Sequence, residues 1–305
     1  DKTILVGRER AYHGVGFGGI SVGGLPLNKK HFSLLPSVDH ICATHNLEKN
    51  AFSKGQPEWG KELAEDLLQV IEKHGADKIA AFITEPLAGS TGVLVPPKGY
   101  LERIREICTQ NDILLIFDEV ITGFGRLGAP FAAQYFDVEP DMITCAKGLT
   151  SGTIPMGAVL VKKEIYDAFQ DGDANSIDLF HGYTYSAHPM AAAALIASLD
   201  VYTDDNLFER TNELASYWED ALHSLKGTSH VIDIRNLGLV AGIEMSPREG
   251  SPGTRGYDVF TDGFHNHNLL LRITGDTLAL SPPLIVEKDH IDQIVETLKV
   301  IIPNH

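Results

Sequence analysis

Hydrophobic positions along the chain follow two rhythms. "WGKELAEDLLQVIEKH" (59–74) sets Leu63, Leu67, Val70 and Ile71 on one helical face, and "YLERIREICTQND" (100–112) repeats the period with Leu101, Ile104, Ile107 and Cys108. Around them lie short apolar runs without alternation, "KIAAFITEP", "ILLIFDEV", "DMITCAKG" and "GAVLVKKE", and the opening "DKTILVGRER" also reads as a strand. Such runs predict strands buried on both faces. Their alternation with amphipathic helices predicts an α/β fold, a mainly parallel sheet with crossover helices.

A long Ala-rich helix is expected from "SAHPMAAAALIASLDVYTDD", starting near Pro189. Beyond it the pattern changes. "FERTNELASYWEDALHSLKG" reads as a helix, "VIDIRNLGLVAGIEM" and "LLLRITGDTLALSPPL" as two strand pairs, and "EKDHIDQIVETLKVII" as a closing helix with Ile291, Ile294, Leu298 and Ile301 in register. This order predicts a large domain over residues 1–200 and a smaller C-terminal α+β domain over 201–305.

Composition narrows the function. Asp plus Glu number 41 against 25 Lys plus Arg, a net charge of −16, which argues against nucleic acid and anionic membrane as partners. No apolar stretch approaches the roughly 20 residues of a membrane helix. Three scattered cysteines, Cys42, Cys108 and Cys145, suit a reducing compartment, so a cytoplasmic location is expected. Thirteen histidines offer no H-E-x-x-H spacing or shared ligand face, so no metal is expected. Gly14, Gly16 and Gly19 match G-x-G-x-x-G, with Asp39 at the right remove, but "ISVGGLPLNKK" after them reads as loop and not as the helix a dinucleotide site needs.

Ligands of open parallel sheets gather at the carboxyl ends of the strands. Those ends carry Glu85, Asp118 and Lys147, and the 29 positions from Asp118 to Lys147 are about one βαβ step. One reading is a buried Asp–Lys ion pair that only settles the sheet. The other is a ligand that uses both charges, as a pyridoxal phosphate ring does: the lysine forms a Schiff base with its aldehyde and the carboxylate keeps its ring nitrogen protonated.

At these residues the chain resembles the fold type I, class III, pyridoxal-phosphate-dependent aminotransferases that act on ω-amino acids. The likeness is carried by "YHG", "TEPLAGSTGVLVPPKGYL", "LLIFDEVITGFGRLG", "AKGLTSGTIPMGAV" and "HGYTYSAHP", in the family's order. "VIDIRNLGL", "PREGSP" and "RITGDTLALSPP" point to its β-alanine–pyruvate branch. The resemblance implies Lys147 as the Schiff-base lysine and proton shuttle, and Asp118 as partner of the ring nitrogen. It implies a cofactor site including Tyr12, His13 and Gly14 of "YHG", with Tyr12 stacked on one ring face, Val120 on the other and Glu85 in support. Thr184 is implied to reach the phosphate of a neighbouring subunit's cofactor in a homodimer or higher oligomer, and Arg272 to bind the substrate carboxylate. Ser90 stands where relatives that use glutamate carry an acidic residue, which favours pyruvate as acceptor.

The expected partners are therefore a small amino donor, β-alanine or a similar ω-amino acid or amine, and a keto-acid acceptor. The resemblance also implies an N-terminal region of over 100 residues, with a phosphate-cradling loop, that has no counterpart in this sequence. Alternatives on the same scaffold are a diamine or taurine transaminase, an aminomutase and a decarboxylase; a non-catalytic fragment is the alternative of another class.

Overall fold

Apolar runs at Ile4–Arg8 (β1), Val38–Ile41 (β2), Ile79–Thr84 (β3), Leu114–Asp118 (β4), Met142–Cys145 (β5) and Ala158–Val161 (β6) pair into one sheet in the computed structural model, which describes residues 2–175, 179, 181–182 and 184–305. Strand order is β2-β1-β3-β4-β5-β6, and every neighbouring pair is parallel except β5–β6. Four predicted strands and the opening one are found. The short β2 "VDHI", with two polar residues in four, gave no apolar run to read. Tyr183 of "HGYTYSAHP" lies outside the described residues.

The helices pack as their periods require. α2 (Asp66–His74) buries Leu67 and Val70, and α3 (Tyr100–Gln110) buries Leu101, Ile104, Ile107 and Cys108. These close with Val6, Phe82, Leu115 and Phe117 into one apolar cluster against the sheet. Full burial of each large side chain contributes about 1.5–3 kcal/mol. One expectation is corrected here. The glycines of the G-x-G-x-x-G match are not followed by loop: Gly16 caps a six-residue helix, α1 (Phe17–Val22), and a Cβ on Gly19 would lie 2.2 Å from the His13 carbonyl. That glycine lets the helix settle on the backbone of the "YHG" turn, which fixes His13 near the sheet rim.

α4 (Ala132–Phe136) follows β4, and α5 (Pro189–Asp204) begins at the expected proline. After α6 (Leu207–His223), strands β7 (Val231–Leu237), β8 (Val240–Met245), β9 (Arg272–Thr274) and β10 (Thr277–Leu280) form an antiparallel sheet in the order β7-β8-β10-β9. α7 (Thr254–His267), whose three glycine or asparagine positions hid its period, and α8 (Lys288–Ile301) complete the chain. A second cluster around Trp218, Leu222, Ile234, Ile243, Leu278 and Leu298 unites this sheet with its helices.

Arg235 on β7 ties the second sheet to the loop that follows β3. Its Nε donates to the carbonyls of Gly92 (2.9 Å) and Val93 (3.0 Å), and its Nη1 donates to Asp233 and to Glu244 Oε2 (2.7 Å). His45, Asp233 and Glu244 thus converge, their ligand atoms within 4.8 Å of one another. A linear reading that found no shared ligand face missed this grouping, because His45 lies far from the other two in sequence. An arginine cation already occupies its middle. Burial, with Arg235 and Arg10 nearby, pushes His45 down to about 3, so it is neutral there.

Candidate active site

The carboxyl ends of β3, β4 and β5 deliver Glu85, Asp118 and Lys147 to one rim. With Tyr12, His13, Gly14 and Val120 they line a cavity of about 450 Å³. Six residues drawn from the sequence for a cofactor site, together with Lys147, therefore meet in one place. Asp118 is buried and does not pair with Lys147. Its Oδ2 lies 2.8 Å from His13 Nδ1, and its Oδ1 accepts from the Val120 backbone N–H at 3.1 Å. Among the described residues no Asp118–Lys147 ion pair forms, which removes the settling pair as an account of the two charges.

The neighbouring Glu119 faces the other way. It is fully buried and accepts from the backbone of Ala132 (2.6 Å) and Ala133 (2.8 Å) at the start of α4 and from Thr122 Oγ1 (2.8 Å). Its role is to hold the loop after β4, and burial raises its pKa despite those bonds.

Lys147 opens the turn after β5 with φ +48°, a left-handed conformation for a residue with a Cβ. Backbone strain of this kind is kept where surrounding structure over-determines it. Gly148 beside it has no room for a side chain, since a Cβ would lie 2.8 Å from Phe124 Cβ. Tyr202 OH of α5 donates to the Gly148 carbonyl at 2.7 Å, a clamp that the sequence did not announce. Burial lowers the Lys147 pKa, partly opposed by Asp118 and Glu85, while Arg272 lowers it further.

Glu85 Oε1 accepts from the Tyr12 backbone N–H at 3.1 Å, but its buried Oε2 has no partner. Burial raises its pKa to about 7, against the pull of His13 and Arg8. The sign follows from linkage. An unfolded glutamate ionises near 4.3, so between about pH 4.3 and 7 the native state holds a proton that the unfolded state has lost. Stability from this group is complete below about pH 4.3 and is lost as pH rises to about 7. Glu85→Gln is expected to flatten that window by up to about 1.4 kcal/mol per pH unit, measured by urea unfolding across it. An unchanged slope would refute the assignment.

A second cavity of about 660 Å³ opens from Lys147, Tyr12 and Val120 toward Ser90, Arg126 and Arg272. Arg272 begins β9, and its Nη2 donates to the Ser90 carbonyl at 3.2 Å; Thr274 Oγ1 donates to the same oxygen at 2.9 Å. The predicted neighbours Ser90 and Arg272 are thus in contact. Thr184 is the site residue that the chain does not bring here: it is exposed and lines neither cavity. Arg126 was not singled out beforehand, although "GFGR" directly after the Asp118 strand was a signal for it.

An unpartnered carboxylate oxygen, a paired Asp118 and a cavity lined by Tyr12, Val120 and Lys147 fit an aromatic, cationic ring. The fold and this rim define a fold type I enzyme site that works through pyridoxal phosphate. Residues 1–302 match the family Aminotransferase class-III. The chain is 61% identical over 302 residues to an omega-aminotransferase of Caulobacter vibrioides, covering 99% of this chain and 69% of that one. It is 47% identical to a beta-alanine–pyruvate aminotransferase of Pseudomonas aeruginosa, covering 97% and 66%. The structure matches a transaminase with L-ala at TM-score 0.90 and 32% identity over 99% of this chain and 73% of that one. A crystal structure of the omega transaminase from Pseudomonas jessenii in complex with PMP matches at 0.88 and 31%, over 100% and 70%. This chain belongs to the class III aminotransferases, which depend on pyridoxal phosphate, and it spans about two thirds of the length of the curated relatives it matches.

Proposed function

We propose that the protein transfers the amino group of an ω-amino acid, β-alanine first among them, to pyruvate. The observation that carries this reading is the contact of Arg272 with the Ser90 carbonyl. An acidic side chain at position 90 would neutralise that guanidinium; a serine leaves it available to a carboxylate. The names of the Caulobacter and Pseudomonas relatives agree with the class of substrate.

When bound, pyridoxal phosphate supplies an aldehyde that an amine can join and a protonated ring that draws electrons from the adjacent carbon. Asp118 would hold the ring nitrogen, Tyr12 and Val120 the two ring faces, and Lys147 the aldehyde carbon. His13 orients Asp118. Lys147 would carry the proton, taking one from the amine-bearing carbon of the donor and giving one to the keto carbon of the acceptor. Burial lowers the pKa of its Nζ, the direction that general-base work requires. Arg272 would orient a substrate by its carboxylate. We also propose that residues 1–200 act as the cofactor-binding domain and 201–305 as the smaller one, and that exposed Thr184 serves the site of a second copy in a homodimer.

The test mixes loaded protein with β-alanine and then with pyruvate. The expected result is loss of the visible cofactor band on β-alanine, its return on pyruvate, and alanine as product. Bleaching by diamines or taurine but not β-alanine would overturn the donor assignment.

A further inference from the structure

The larger cavity is cationic in an acidic protein. Its charged lining residues are Arg126, Lys147 and Arg272, and none of the others is Asp or Glu, although the chain carries 41 acidic residues. A cleft lined by one sign of charge concentrates the opposite sign. Lys147 serves the cofactor and Arg272 one carboxylate, which leaves Arg126 without a task.

Arg126 is anchored at several points. Its Nη1 donates to the carbonyls of Leu239 (3.0 Å) and Pro282 (2.6 Å), and its own carbonyl accepts from Leu239 N–H at 3.0 Å. Gly238, at φ +52°, packs so close that a Cβ would lie 2.6 Å from the Arg126 carbonyl. Among the described residues no carboxylate pairs with this guanidinium, and no hydrogen bond engages its Nε or Nη2. Neither atom is sealed in the core. Burial without a counter-ion lowers its pKa to about 10, which leaves it charged at neutral pH. An uncompensated buried cation that keeps free donors beside a cavity favours an anion there. Arg272 differs in being exposed, with a single hydrogen bond.

We propose that Arg126 is a second, fixed carboxylate anchor, which receives the acid group of the ω-amino acid donor, while Arg272 receives that of the keto acid. This rests on the substrate reading above. The two substrates carry their carboxylates at different distances from the reacting carbon, directly attached in pyruvate and one methylene further in β-alanine. One guanidinium cannot hold both as a fork without moving; two can. Arg272 lies near enough to Lys147 to affect its charge, which suits the nearer carboxylate.

Arg126→Gln and Arg126→Lys are to be compared with the unaltered loaded protein on two donors, β-alanine and propylamine, which has the same length without the acid. Calorimetric titration with propionate, which cannot react, gives a separate readout. The expected result for Arg126→Gln is a KM for β-alanine that rises roughly 10- to 100-fold more than that for propylamine, and a propionate Kd raised as much. Arg126→Lys should recover part of both. Equal losses on the two donors with a lowered Tm would make Arg126 a structural tie to Leu239 and Pro282 and overturn the proposal, as would an unchanged propionate Kd. If the unaltered protein ignores β-alanine yet binds propionate through Arg126, the substrate reading fails and the anchor stands.

Discussion

Lys147→Ala is expected to lower transamination by about 10⁴-fold, the upper range for removing a positioned proton-transfer group. The visible band that reports covalent attachment of the cofactor to the protein should vanish with it. The fold should survive, because the Lys147 side chain is not part of either main apolar cluster. A built-in control comes from its left-handed backbone: Lys147→Gly should be more stable than Lys147→Ala by about 1 kcal/mol, since only glycine is unstrained at φ +48°. A small primary amine added to the alanine variant should restore some proton transfer, more so as pH rises and more of it is unprotonated. Activity of the alanine variant near that of the unaltered protein would rule out Lys147 as the proton carrier.

Asp118→Asn is the second large effect. The amide keeps the shape and can still accept from the Val120 N–H and face His13, so Tm should move by no more than a few degrees. What it removes is the charge proposed to hold a ring nitrogen protonated. Each half-reaction should slow by about 10²- to 10³-fold, the scale of losing one pre-oriented electrostatic partner in an enclosed site. Cofactor should also leave faster on dialysis. Single-turnover bleaching by β-alanine separates the two effects: retained cofactor with slow bleaching is the expected signature, and fast bleaching would refute the role.

Much of this was legible in the chain because it rests on local pattern. The β3, β4 and β5 runs end in Glu85, Asp118 and Lys147, and the sheet rule for strand ends suffices to bring them together. What escaped depended on contacts between distant segments. His13 was placed at the cofactor, but its pairing with Asp118 depends on α1 settling on Gly19, in a stretch that reads as loop. His45, Asp233 and Glu244 meet only because two sheets meet. Arg126 looked like the end of a motif until Leu239 and Pro282, both from the second sheet's connections, were seen to hold it. Periodicity speaks for one element at a time, and these sites are built where elements of different sheets touch.

The tie between Ser90 and β9 runs through a main-chain oxygen, shared by Arg272 and Thr274. Every amino acid has that oxygen. Selection can therefore exchange the side chain at position 90, and with it the charge presented to incoming acids, without unfastening the strand that carries Arg272. Under the proposed substrate reading, attachment and acceptor preference are encoded separately there, and a change of side chain at position 90 is expected to shift the amino acceptor while leaving the strand in place.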